Sequence, residues 1–147
     1  MWDHNVKTSN ILGAINIILG ALVITLPHFI LPVCEYFGMY METKMGMLVP
    51  MKCHYTAYAE VGVGATIIVA SVVLMVSNMV QTKKALSIVG AVLGINVMLL
   101  PTYLTGMCGM ASMPCRIGTQ PALLILGVLI IIVNAIGFFK YRAKKES

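Results

Sequence analysis

Leu31–Glu60 reads LPVCEYFGMYMETKMGMLVPMKCHYTAYAE, the only long stretch of the chain that is neither an apolar span nor a short tail. It holds Cys34 and Cys53 and five of the twelve methionines. A shorter counterpart, TGMCGMASMPCRIGTQP from Thr105 to Pro121, holds Cys108 and Cys115 and three more methionines. Each stretch lies between two apolar runs, so both read as loops on one side of a membrane, each joining a pair of helices.

The composition agrees. With 59% hydrophobic residues, 10% charged residues and a mean hydropathy of +0.92, the chain is far from a soluble domain, where about 25% of residues are charged. Its 147 residues make one domain by length. Four apolar spans follow in order: Asn10 to about Val33, about Thr56 to Val80, Ala85 to about Thr105, and Pro121 to Phe139. Each is long enough to cross about 30 Å of hydrocarbon at about 1.5 Å per residue. Gln81-Thr82-Lys83-Lys84 reads as a tight polar turn between the second and third. The start of the chain has one Lys beside an Asp and no small-residue cleavage site, so the first span is expected to stay.

Basic residues orient the spans. Lys7, Lys83, Lys84, Lys140, Arg142, Lys144 and Lys145 fall on the side of the termini; only Lys44, Lys52 and Arg116 fall on the loop side. Both termini are therefore expected in the cytoplasm and both cysteine loops outside a plasma membrane. The net charge of +5 thus reports topology and contact with anionic lipid rather than nucleic acid, for which no fold or aromatic-basic patch is present.

The two halves look alike. Adding 74 maps Leu19-Gly20 onto Leu93-Gly94, Leu26-Pro27 onto Leu100-Pro101, and Cys34 onto Cys108. Past the loops, adding 62 maps Met51 and Cys53 onto Met113 and Cys115, and adding 63 maps Thr56 and Gly64 onto Thr119 and Gly127. The expected fold is an all-α integral membrane domain, 1–147, of four transmembrane helices built as a duplicated parallel two-helix hairpin, with repeats at about 10–80 and 85–139.

Few residues are placed to do chemistry. Pro27 and Pro101 should bend the loop-side ends of their helices and free a carbonyl. Gly90 and Gly94 form a GxxxG face, and Gly62 with Gly64 a second small patch, suited to packing within the bundle or onto another membrane protein. Glu60 is the one carboxylate within an apolar span. It asks for a buried ion pair, with Arg116 or His54 as partner, for a role with a ligand or proton, or for a side chain that snorkels out to water. Met39, Met41, Met45, Met47, Met51, Cys53 and His54, with Met107, Met110 and Met113, are soft donors of the kind that favours Cu(I), although methionine also fills irregular interfaces. No C-x-x-C, Ser/His/Asp set, paired carboxylates, phosphate loop or H-E-x-x-H is present. No enzyme activity and no cofactor are expected.

Four cysteines allow three pairings. The repeat favours Cys34–Cys53 with Cys108–Cys115, each copy stapling its own helix ends; Cys34–Cys108 with Cys53–Cys115 would instead bind the halves together. Closing a loop of roughly 15 residues stabilises by about 3 kcal/mol in the entropic account.

Met51-Lys52-Cys53-His54-Tyr55-Thr56-Ala57-Tyr58-Ala59-Glu60, with Met113-Pro114-Cys115-Arg116 and a cysteine after the first and third spans, resembles an uncharacterised family of small prokaryotic four-span membrane proteins, catalogued as a domain of unknown function. Members are often encoded beside ABC transporters of the macrolide-exporter type. The resemblance implies an accessory subunit, with an exporter permease as partner, and assigns no catalytic residue. A homo-oligomer is compatible with it. The competing expectation is an outward-facing copper or thiol-redox protein using the Met/Cys/His loops.

Overall fold

The computed structural model describes residues 2–31, 40–50, 52–104 and 115–143. Among these, α1 (Trp2–Thr25), α2 (Lys52–Val76), α3 (Val80–Leu99) and α4 (Gln120–Ala143) are the long helices. Three carry a π-helical turn at the loop side: Leu26–Ile30 after α1, Leu100–Leu104 after α3 and Cys115–Thr119 before α4. The apolar spans so formed are 24, 23, 25 and 28 residues long, each enough to cross a bilayer at about 1.5 Å per residue.

Small and polar residues, with one or two apolar ones per helix, recur every three or four positions, and these are the positions that turn inward. On α1 they are Ser9, Gly13, Asn16, Gly20 and Val23; on α2, Thr56, Glu60, Gly64, Ile67 and Ser71. On α3 they are Lys83, Ser87, Gly90, Gly94 and Val97, and on α4 and the turn before it Thr119, Leu123, Gly127, Ile130 and Asn134. Large apolar side chains such as Ile18, Val69, Val76, Ile125 and Phe139 stand outside. A water-soluble bundle has the opposite arrangement. Lipid tails give packed helices no hydrophobic drive, so small residues that let backbones close up take the interface and bulky ones face lipid.

The helices pack in the cyclic order α1, α2, α3, α4, with the closest pairs α1–α2 and α3–α4. Each pair closes on two glycines. A Cβ at Gly64 would stand 2.9 Å from the Gly20 carbonyl oxygen, and one at Gly127 would stand 2.9 Å from that of Gly94. Around these contacts lies an apolar core of Leu19, Val23, Leu26, Ile67, Val97, Leu123, Leu126 and Ile130.

Three features differ from the sequence reading. The first loop contains a short antiparallel hairpin, β1 (Tyr40–Glu42) with β2 (Leu48–Pro50), a local addition to the all-helical membrane fold. Gly46 takes the left-handed conformation its turn needs, at φ 75°. Gln81–Lys84 is not a turn but the first turn of α3; the connector is Ser77–Met79. Nothing in Gln-Thr-Lys-Lys breaks a helix, and the Lys83 ammonium lies 6.0 Å from the Tyr141 ring centre, where burial of its stem favours the helical course. Finally, Pro27 and Pro101 are accommodated by widening, not only bending. The missing proline N–H is absorbed in a π-helical turn, and Leu31 N–H donates five residues back to the Leu26 carbonyl at 2.8 Å.

Candidate functional site

The inward faces carry a polar seam. Near the side of the termini, the Ser9 hydroxyl donates to the Leu74 carbonyl at 2.9 Å, tying α1 to α2. At mid-bundle the amides of Asn16 and Asn134 exchange two hydrogen bonds, of 3.3 and 3.1 Å, and so join α1 to α4. Gly90 makes room for them, since a Cβ there would run into the Asn134 amide. A cavity of about 10 Å³ opens beside the pair, lined by Ser71, Leu86 and Gly90 among others. At the loop end, the Thr119 hydroxyl donates to the Leu31 carbonyl at 3.0 Å, holding the start of α4 to the end of α1.

Glu60 departs from this pattern. It is 0% exposed, and neither carboxylate oxygen has a hydrogen-bond partner among the described residues. One turn toward the loops on the same face lies Thr56, also buried; one turn the other way lies Gly64, closed against Gly20. A residue surrounded by a packed apolar core is costly to keep polar when nothing bonds it.

Beside this end of α2, three aromatic rings meet. Tyr58 stands between His54, with centroids 4.7 Å apart, and His28, at 6.2 Å and edge-on. The His28 ring contacts the Ile24 carbonyl through Nδ1 at 3.1 Å. Arg116 is exposed in the π-helical turn before α4. The structure thus brings His54 and Glu60 onto one helix end without a bond between them, and no ion pair from Arg116 reaches Glu60.

The other sequence candidates divide. Gly64, Gly90 and Gly94 are occupied inside the bundle, whereas Gly62 faces open space with nothing within 4 Å of an added Cβ. Cys34 and Cys108 lie outside the described residues, as do the side chains of Cys53 and Cys115, so the pairing lies outside them too. Of the methionine set, Met45 and Met47 are exposed near the hairpin turn, and the rest lie outside the described side chains. Among the described residues, no three His, Cys, Asp or Glu side chains group to hold a metal.

Sequence reasoning passed over Asn16, Asn134, Ser9 and Ser71, and read Thr119 only as a repeat position. For Asn16, Ser71 and Asn134 the signal was present, because each stands alone in an apolar run at helical spacing from a glycine or another lone polar residue. Such positions face the bundle and not the lipid.

Together these features define a multi-pass membrane protein with four lipid-facing helices and a polar seam beside an apolar core. A family model described as Domain of unknown function (DUF4418) matches residues 16–140, and the chain belongs to that family. No curated protein and no solved structure matches the chain.

Proposed function

We propose that the protein is a non-enzymatic accessory or structural subunit of a membrane complex, docked on a partner through its helices. The observation that carries this reading is Gly62. Among the described glycines of the helices, it alone meets no neighbour. A helix-interior glycine weakens its helix by about 1 kcal/mol against alanine, so one that serves no contact within the chain is best accounted for by a contact outside it. It lies on the outward face of α2, with Tyr58 a turn away on one side and Thr66, whose hydroxyl is spent on the Gly62 carbonyl at 2.8 Å, on the other. That leaves a shallow place in the face where a second helix fits closely. The family resemblance favours the permease of an ABC-type exporter as the partner; a second copy of the chain is the competing occupant.

Gly62→Leu tests this reading. It should leave thermal unfolding of the isolated chain within about 0.5 kcal/mol of the parent, as for a surface substitution, and abolish recovery of the complex. Full recovery of the complex with the variant would remove the face from the account.

The finer architecture is part of the same proposal: a duplicated hairpin, termini in the cytoplasm, and loops stapled by Cys34–Cys53 and Cys108–Cys115 outside the plasma membrane. The paired glycine contacts, Gly20 with Gly64 and Gly94 with Gly127, and the matching π-helical turns at Pro27 and Pro101 support the duplication. An impermeant thiol reagent applied to intact cells should label no cysteine before reduction and all four afterwards, and non-reducing peptide maps should join Cys34 to Cys53. Labelling before reduction would mean free or metal-held thiols. No labelling after it would put the loops in the cytoplasm.

A further inference from the structure

We propose that Glu60 is a proton-binding carboxyl inside the membrane domain, exchanging with the loop side only. The inference rests on the bundle alone and stands whether or not the docking reading does. The side chain is wholly buried, both oxygens lack a hydrogen-bond partner among the described residues, and its helix is one of the four spans. A carboxylate in such surroundings needs a counter-charge, a metal cation or a proton. Among the described residues no ion pair reaches it. A metal cation takes several ligands at once, and among the described residues no three His, Cys, Asp or Glu side chains group to hold one. A proton needs a single oxygen. It arrives from hydronium, forms one O–H bond on the carboxyl, leaves water behind and removes the charge.

The packing decides the side of exchange. Toward the termini, the route is closed by the backbone contact of Gly64 with Gly20 and by the fully packed Ile67. Toward the loops, Thr56 continues the polar face, and α2 packs against the π-helical turn Leu100–Leu104. Among the described side chains, the titratable and charged ones on the elements around this end are His54, Tyr55 and Tyr58 of α2, His28 after α1, Tyr103 after α3 and Arg116 before α4. Tyr55, Tyr58, Tyr103 and Arg116 are exposed, and none of the six hydrogen-bonds to Glu60. Lys83 and Lys84 of α3 and Tyr141 of α4 lie at the opposite end.

A hydrophobic carbodiimide tests the site directly on the whole protein in its membrane. A buried protonated carboxyl adds across the reagent's C=N bond: the oxygen bonds carbon, the acid proton goes to nitrogen, and rearrangement leaves a stable acylurea. Dicyclohexylcarbodiimide should add one reagent mass to the peptide holding Glu60, and labelling should be lost as the loop-side medium is made alkaline. A water-soluble carbodiimide should modify the exposed Glu42 and spare Glu60. No adduct on Glu60, or modification of Glu60 as readily as Glu42 by the water-soluble reagent, would overturn the proposal. Infrared difference spectra supply a second reading: the parent should show the carbonyl stretch of a protonated carboxyl, and Glu60→Gln should lose it. A parent spectrum without that band at acid pH would overturn it equally.

Discussion

Leucine at both Gly90 and Gly94 is expected to unfold the bundle itself. A Cβ at Gly94 would already stand 3.0 Å from the Gly127 carbonyl oxygen and 2.9 Å from Ile131, and one at Gly90 would run into the Asn134 amide. The Gly127 oxygen belongs to the backbone and has no rotamer to retreat to, so α3 and α4 must separate. Separation would expose the Asn16–Asn134 hydrogen bonds to rupture at the same time. Overpacking costs about 1–3 kcal/mol per site, and an interhelical hydrogen bond in a membrane is worth about 0.6–1.7 kcal/mol. Together these approach the whole stability of a small domain. Thermal unfolding by circular dichroism in mild detergent should show loss of the cooperative transition. A transition like the parent's would mean that α3 and α4 do not meet through these glycines.

Glu60→Leu should act in the opposite direction and stabilise the fold. The sequence alone suggests an ion pair at Glu60, whose disruption would cost about 3–5 kcal/mol. With no partner among the described residues, the sign reverses. Removing a buried polar group that makes no hydrogen bond relieves about 1–3 kcal/mol, and under the proposed duplication Leu123, a member of the apolar core, stands at the corresponding position of α4. A rise in unfolding temperature is therefore expected. A clear fall would show that the carboxyl has a partner. Retention of a destabilising group at this depth is what a working site, and not a packing site, would explain.

Much of the architecture was readable from apolar runs broken by the two cysteine loops, because a span needs only length and the absence of charge. The glycine contacts were half readable. Gly90 and Gly94 announced a close-packed face, but their spacing is the same whether the neighbour is α4 or a foreign helix. The start of α3 was misread since Lys83 and Lys84 look like a solvated turn, and only the Tyr141 ring that packs on Lys83 belongs to a part of the chain distant in sequence. The hairpin around Gly46 escaped notice because its strands are three residues each, too short for alternation to register. Glu60 was singled out by its setting in an apolar run. That it lacks a bond depends on where His54 and Arg116 come to rest, which no spacing encodes.

The central claim, that this protein works as a docked subunit and not as a metal or redox protein, is tested most directly by purification from its native membrane in mild detergent, with metal analysis on the same sample. The account predicts a stoichiometric complex with an exporter-type permease, free of bound metal, that is lost with Gly62→Leu. Stoichiometric copper on a chain with no partner would contradict it.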